Sequence, residues 1–372
     1  YRRKKMRVLV SGGGTGGHIY PALSLMNYLK EQDPSTEFLY VGTERGLEST
    51  IVPKAGYDFK TIKIQGIVRS LSLENFKTLW YFCTSYFKAK EIVKEFKPDI
   101  VIGTGGYVCA PVLYAAANMG IPTIIHEQNS LAGITNKFLA RKVSKIAICF
   151  DAVRKDFAKY ADKVVMTGNP RGQELANAQK DDSYLASIGI QKEKPIVLIF
   201  GGSRGSLRMN ESFIEALEEF EKKDYQVVMV TGQVHYDKIN NLITSLKKPL
   251  QNITVLPYIN NMVQMFQNTD LVVCRSGATT LIELTALGLP SILIPSPYVT
   301  ENHQEANAMS LVEKDAATMI LEKDLNGESL VAEIDRIMND EAKRKEMAKN
   351  SKALGITDAS SRLETIIHSL VK

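Results

Sequence analysis

One pattern recurs along this chain and restricts its fold more than any other: a short apolar run, a cluster of glycines, then a helical stretch. It first appears as RVLVSGGGTGGHIY, Arg7 to Tyr20. Val8, Leu9 and Val10 read as a buried strand, five glycines within Gly12–Gly17 as a tight turn, and a helix is expected from near Pro21. PDIVIGTGGY repeats the unit, with a strand Asp99–Ile102 followed by Gly103, Gly105 and Gly106. KPIVLIFGGSRGS carries Gly201, Gly202 and Gly205, and DLVVCRSGATT carries Gly277. Buried runs alternating with helices predict an α/β protein with doubly wound parallel sheets. Ligands in such sheets bind beyond the carboxyl ends of the strands, where these glycines fall. Glycine there lets bare backbone approach a ligand, and a helix N-terminus behind the loop attracts negative charge.

The first loop ends in His18, a side chain that can exchange a proton near neutral pH. Gly12, Gly14 and Gly17 also satisfy G-x-G-x-x-G, the dinucleotide fingerprint. That reading needs an acidic residue ending the second strand, to hold a ribose. The expected second strand, Glu37–Val41, ends in Gly42, and Glu44 comes two residues late. The loop therefore argues more for phosphate chemistry than for a nicotinamide or flavin.

A length of 372 residues predicts two domains. Cys83, Cys109, Cys149 and Cys274 are too scattered for a zinc site or a disulfide framework, and fit a reducing cytoplasm. No signal peptide is visible, and Met6 is a plausible natural start after Tyr1–Lys5. Ile100–Ile125 lacks charge, but Gly103–Gly106, Pro111, Gly120 and Pro122 break it into a strand, a helix Pro111–Met119 and a strand Pro122–Ile125, not a membrane span. Tyr1–Pro170 carries 24 Lys and Arg against 14 Asp and Glu, and the remainder 22 against 27. A basic half points to an anionic partner. No basic-aromatic motif of a nucleic-acid-binding module appears, so nucleic acid is not expected. The domain boundary is expected near Asn169–Lys194, and the charged helical tail Asn326–Lys372 breaks at Gly355.

Three further segments group polar residues at strand ends. HEQN places His126, Glu127 and Asn129 after an apolar strand, which fits a site and also fits an ordinary turn. In SGATTLIE, Ser276 is a natural N-cap, the helix start offers backbone N–H groups to a diphosphate, and Glu283 lies about two turns on, where it could accept from ribose hydroxyls. A capped helix with a solvated glutamate is the plain alternative. In HQEANA, Gln304 and Asn307 share a helix face, and two amides side by side can read sugar hydroxyls or simply start a polar helix.

Taken together, GGGTGGHIYPAL, GTGGYVCAPVLYAA, HEQN, TGNP, GGSRGS, CRSGATTLIEL and HQEANA, in this order and over nearly the whole chain from Met6, closely resemble the MurG family. These transferases add N-acetylglucosamine to the lipid-linked muramyl-pentapeptide precursor of bacterial cell walls. The resemblance implies a GT-B fold, two Rossmann-like doubly wound parallel-sheet domains facing a cleft. Residues 6–170 with a C-terminal helix at about 356–372 would form the acceptor and membrane-side domain, and residues 171–355 the donor domain. It implies His18 as the base, with Glu127 and His126 as alternatives. Thr15, Gly16 and Gly17 would lie at the donor and diphosphate, Asn129 on the donor, Ser203 at the phosphates and the Ile259 backbone at the uracil. Ala278, Thr279, Thr280, Leu281, Ile282 and Glu283 would form the nucleotide-binding helix start, with Glu283 at the ribose. Gln304 would read the sugar, with Asn307 beside it. Arg171 follows the proline of GNP directly, where some members place an arginine two residues on, so its role is open.

The expected activity is inverting transfer from UDP-N-acetylglucosamine to the C4 hydroxyl of undecaprenyl-pyrophosphoryl-N-acetylmuramyl-pentapeptide, without cofactor or metal. A UDP-sugar 2-epimerase of the same fold and a non-catalytic UDP-sugar-binding regulator are the alternatives. A peripheral location on the cytoplasmic face of the membrane follows from such an acceptor. The expected contact with an anionic membrane surface is Ile67–Lys90, where Leu73, Phe76, Leu79, Trp80, Cys83 and Phe87 recur at helical spacing among Arg69, Lys77, Lys88 and Lys90. An ordinary core helix with its aromatics against the sheet is the competing reading.

Overall fold

The computed structural model describes residues 5–66, 73–299 and 302–371. The chain divides into two compact units, Tyr1–Glu174 with Ile356–Lys372, and Leu175–Gly355. The first unit is built on seven strands: β1 (Arg7–Ser11), β2 (Glu37–Gly42), β3 (Phe59–Thr61), β4 (Ile100–Gly103), β5 (Thr123–Glu127), β6 (Lys145–Ile148) and β7 (Val164–Met166). They pair in parallel in the order β3-β2-β1-β4-β5-β6-β7. The second unit has six: β8 (Ile196–Phe200), β9 (Gln226–Val230), β10 (Ile253–Leu256), β11 (Leu271–Cys274), β12 (Ser291–Leu293) and β13 (Ala317–Met319). Their order is β10-β9-β8-β11-β12-β13, again all parallel.

Strand order reverses at β1/β4 in one unit and at β8/β11 in the other. The chain leaves the sheet in opposite directions there, which opens a crevice at the carboxyl ends of those strands. All the glycine clusters of the sequence lie at these two points. Both sheets are buried on two faces, so their strands read as continuous apolar runs rather than alternating ones. An aspartate ties the other end of each reversal. Asp99 accepts from Arg7 N at 2.9 Å and Asp270 accepts from Ile196 N at 2.8 Å.

One face of the first sheet packs on the helices Glu74–Phe96 and Cys109–Asn118. The other packs on the helix Gly16–Gln32, and the final helix Ala359–Leu370 returns to this face with Leu363 and Ile367 fully buried. Burying two such side chains contributes roughly 1.5–3 kcal/mol each.

Several boundaries differ from the sequence expectation, each for a local reason. The first helix begins at Gly16, not near Pro21, which stands in its second turn and cannot donate to the Gly17 carbonyl. His126 and Glu127 belong to β5, paired with Ala147 and Ile148, so HEQN is half strand. Ser276 does not cap the helix Ala278–Leu287. Gly277 holds that position, and the Ser276 hydroxyl donates instead to Gln304 O at 2.7 Å.

The helix Glu74–Phe96 turns its apolar stripe outward. Leu73, Phe76, Leu79, Trp80 and Phe87 are 62–83% exposed, while Thr78, Ser85, Ala89, Ile92 and Val93 face inward. Thr78 is satisfied by Gln65 Nε2 at 3.1 Å, and Ser85 donates to Lys63 O. The stripe thus points away from the sheet. Phe82 and Tyr86, on its flank, stack edge-on with Tyr114 and Phe138. Ile67–Ser72, including Arg69, lie outside the described residues. Among the described residues no helix is long and apolar enough to cross a membrane.

Candidate functional site

In the first unit the loops after β1 and β4 meet. Gly13 N donates to Gly105 O at 3.1 Å, and the Thr104 hydroxyl donates to His18 O at 2.6 Å. A Cβ on Gly106, whose φ is +93°, would stand 2.5 Å from Gly13 O, and one on Gly105 would stand 2.8 Å from His18 Nε2. Only glycine permits this approach and leaves the space beside Nε2 open.

His18 sits in the first turn of its helix, with Nδ1 2.9 Å from Gly13 O. A carbonyl can only accept, so Nδ1 carries the proton, and in the neutral ring Nε2 keeps a free lone pair. Thr15 is the N-cap but makes no side-chain capping bond, and Gly16 and Gly17 open the helix. Their N–H groups are among the four a helix start leaves without internal partners.

The alternative bases do not survive the geometry. His126 is 2% exposed and both its ring nitrogens are occupied: Nε2 donates to Gly168 O at 2.9 Å and Nδ1 accepts from Gln128 Nε2 at 2.8 Å. Burial pushes it down to about 4. Glu127, also 2% exposed, accepts from Asn129 N, Gly133 N and Asn136 Nδ2 at 2.9–3.2 Å, so it shapes the loop that carries Asn129. Both residues brace the site from behind. Arg171 lies in the helix Pro170–Ala176 and pairs with Glu174 at 2.9 Å, and Glu174 also accepts from Ser24 Oγ.

The second unit holds a cavity of about 570 Å³ at its own strand reversal, lined by Gly201, Gly202, Gly205, Gly277, Thr280 and Gln304 among others. Ser203 stands exposed in the turn above it, and Ile259 is buried in the segment after β10. Ala278, Thr279 and Thr280 form the first turn of the helix Ala278–Leu287, where N–H groups lack internal partners. Leu281 and Ile282 follow with buried side chains, and Leu281 N donates to Gly277 O. Glu283 is half-buried on the same helix.

Gln304 Oε1 accepts from Ser276 N at 3.3 Å and Ser296 N at 2.9 Å, which leaves Nε2 as the group able to meet a ligand. Asn307 is fully buried and donates to Ser276 O, so it holds the loop and does not read a sugar. Among the described residues no group of three or more His, Cys, Asp or Glu is placed to hold a metal ion.

Two functional supports escaped the sequence reading. Glu48, fully buried, accepts from Gly14 N at 3.1 Å and from Thr43 N and Oγ1 at 2.9 and 2.8 Å. The signal lay in the glycines around it, since a Cβ on Gly13, Gly42 or Gly46 would strike its side chain. Arg275 pairs with Glu322 at 2.8 Å and donates to Ser206 Oγ at 2.8 Å and Ile294 O at 3.1 Å. It sits inside CRSGATT, where the glycine drew attention from it.

Two Rossmann-like units, each with an anion-friendly loop at its strand reversal, define a nucleotide-sugar glycosyltransferase of the GT-B type. Residues 8–148 match the glycosyltransferase family 28 N-terminal domain, and residues 196–363 the glycosyltransferase family 28 C-terminal domain. The chain is 54% identical over 367 residues, 99% of its length and 100% of the relative's, to a UDP-N-acetylglucosamine--N-acetylmuramyl-(pentapeptide) pyrophosphoryl-undecaprenol N-acetylglucosamine transferase of Bacillus cereus. The crystal structure of Acinetobacter baumannii MurG matches with a TM-score of 0.79 at 27% identity, over 98% of this chain and 99% of that one. The chain belongs to the MurG family of N-acetylglucosaminyltransferases. A UDP-GlcNAc 2-epimerase from Neisseria meningitidis, solved with UDP-GlcNAc bound, matches at a TM-score of 0.69 over 98% and 100% of the chains. At 15% identity that likeness speaks for the fold alone.

His126 gives a pH dependence of stability. The unfolded chain protonates it near pH 6.5, while the folded chain keeps it neutral down to about 4. Stability is therefore unaffected above about pH 6.5 and is lost as pH falls from there towards 4, by about 3 kcal/mol in all. Thermal melts between pH 7 and 4.5 test this. His126→Gln should start less stable and lose less on acidification, and a slope equal to wild type would disprove the assignment.

Proposed function

We propose that this chain moves N-acetylglucosamine from UDP-N-acetylglucosamine to the C4 hydroxyl of undecaprenyl-pyrophosphoryl-N-acetylmuramyl-pentapeptide, with inversion, and that His18 is its base. The tautomer of His18 carries the reading. With Nδ1–H committed to Gly13 O, Nε2 is the lone pair that can take the acceptor proton. As the O–H bond breaks and Nε2–H forms, the C4 oxygen attacks the anomeric carbon. The bond from that carbon to UDP breaks, and UDP leaves with the electron pair.

The departing charge needs fixed dipoles. The N–H groups of Ala278, Thr279 and Thr280 supply them in the second unit, with Ser203 as a hydroxyl at the phosphates. Glu283 accepts from the ribose, Gln304 Nε2 meets the sugar, and the Ile259 backbone meets the uracil. In the first unit Thr15, Gly16 and Gly17 serve the donor and its diphosphate, and Asn129 contacts the donor. Arg171, tied to Glu174, acts on the loop it follows.

His18→Ala should lower kcat by about 10²–10⁴ with UDP affinity little changed. The assay is UDP release with a lipid I analogue, beside blanks lacking acceptor or offering free N-acetylglucosamine. Near-normal turnover would remove His18 as base, and acceptor-independent conversion of the sugar nucleotide would favour an epimerase. Glu283→Ala should weaken UDP binding by roughly 10- to 150-fold in calorimetry, the loss of a hydrogen bond to a charged group. Unchanged affinity would place the ribose elsewhere.

A polyprenyl acceptor stays in the bilayer, so the enzyme works at the membrane surface, peripherally on the cytoplasmic face. Leu73, Phe76, Leu79, Trp80 and Phe87 form the outward apolar face that supports this reading, with Lys77, Lys88 and Lys90 on the same helix. Each well-placed basic residue adds about 1 kcal/mol on an anionic leaflet, although Lys88 is partly offset by Glu91 at 3.1 Å. The protein should sediment with anionic vesicles at low salt, and the emission of Trp80, the single tryptophan, should shift to the blue. Replacing Lys77, Lys88 and Lys90 by glutamine should weaken sedimentation and spare UDP affinity. Wild-type sedimentation by that variant, with Trp80 emission unmoved, would exclude this face.

A further inference from the structure

The peptide group joining Gly13 to Gly14 has a partner at each end. Its carbonyl accepts from His18 Nδ1 at 2.9 Å. Its N–H, on Gly14, is donated to Glu48 Oε2 at 3.1 Å. A carboxylate, one peptide and an imidazole are thus in line. We infer that Glu48 is a positioning residue that acts on His18 through this peptide, fixing the ring with Nε2 free and stabilising the imidazolium once the acceptor proton arrives. The inference rests on the proposed role of His18 as base.

The surroundings of Glu48 favour an electrostatic role beside loop bracing. Glu48 is fully buried, and its three donors, Gly14 N, Thr43 N and Thr43 Oγ1, are all neutral. Its charge is therefore solvated by dipoles and not cancelled by a cation, and in so dry a place it acts strongly on neighbouring dipoles. A hydrogen bond from a peptide N–H to an anion polarises the whole group, so the carbonyl at the other end becomes a better acceptor. The Nδ1–H it holds belongs to a ring that turns positive during turnover. In the familiar triads the carboxylate touches the imidazole directly. Here a peptide is interposed.

The chain makes room for this arrangement with glycines. A Cβ on Gly13 would lie 2.3 Å from Glu48 Oε1, and one on Gly46 2.1 Å from Glu48 Oε2. Gly14 has φ +88°, a conformation that aims its N–H at the carboxylate. Gly13 N is anchored to Gly105 O, and Gly106 closes over Gly13 O.

The other titratable groups packed against the loop carry no charge near neutral pH. Tyr40 donates to Gly12 O at 2.8 Å and is pushed well up by burial, beside Glu48. Cys109 donates to Ser11 O and is pushed up to about 11 by the same burial.

The test uses the full chain with Glu48→Gln and Glu48→Asp. Glutamine removes the charge and turns an amide N–H toward Gly14 N–H or Thr43 N–H. Glu48→Gln should lower kcat roughly 10- to 100-fold, less than loss of His18 itself, with KM for UDP-N-acetylglucosamine unchanged. The acid limb of its kcat/KM profile should move to lower pH by about one unit, because the positive ring has lost its anion. Glu48→Asp, which keeps the charge, should restore part of both. Wild-type kcat and profile in Glu48→Gln would overturn the inference. So would equal losses in both variants with the acid limb in place, which is what mere bracing predicts.

A second readout stands apart from activity. In protein labelled at its five histidines, the His18 Nδ1–H proton, assigned by its loss in His18→Gln, should resonate far downfield in wild type and Glu48→Asp, and move upfield in Glu48→Gln. No downfield signal in wild type overturns the inference even if a Glu48 variant fails to fold. Full turnover by His18→Ala would instead bring down the base itself, whatever Glu48 does to the resonance.

Discussion

The hydrogen bond from Gly13 N to Gly105 O, at 3.1 Å, ties together two loops that the sheet alone would leave apart. It spans the place where strand order reverses, and it forms only because Gly105 and Gly106 hold φ of +118° and +93° and carry no side chain. Everything the first unit offers to chemistry follows from that contact. It fixes Gly13 O, which fixes the tautomer of His18, and it presses the imidazole against Gly105 so that the ring has one orientation. The second unit uses the same device. A Cβ on Gly205 would stand 2.1 Å from Thr231 O, and one on Gly232 2.7 Å from Arg204 O. In both units glycine is spent where two backbones must touch, and the ligand-facing groups are set by what those backbones hold in place.

This explains which parts of the molecule were legible in the sequence. Parallel sheets buried on both faces write themselves as apolar runs, and crowded strand reversals write themselves as glycines, so the architecture and the location of both loops could be read directly. His18 stood out because it ends the loop. The supporting groups could not be ranked by the same means. His126 and Glu127 share a loop motif with Asn129, and nothing in four letters tells a buried brace from an exposed base. The difference lies in β6, whose pairing with β5 draws His126 and Glu127 into the sheet.

The helix Glu74–Phe96 was ambiguous for a different reason. An apolar stripe at helical spacing tells which residues share a face but not which way that face points. Here Thr78 and Ser85 take the inner side and bond to the segment Lys63–Gly66, and Ala89, Ile92 and Val93 continue that side. The larger apolar residues are left outside, an arrangement that costs solvation unless something covers them.

Glu48 and Arg275 are the charges that stand behind the two loops, and they have opposite sign. In the transfer proposed for the first unit, His18 gains positive charge, since a neutral imidazole becomes an imidazolium. A buried anion one peptide away lowers the free energy of that product. In the second unit the half-buried guanidinium of Arg275 lines the cavity at the strand reversal. Arg275 pairs with Glu322 and donates to Ser206 Oγ and to the Ile294 and Pro295 carbonyls. It thereby holds Ser206, the N-cap of the helix Leu207–Glu215.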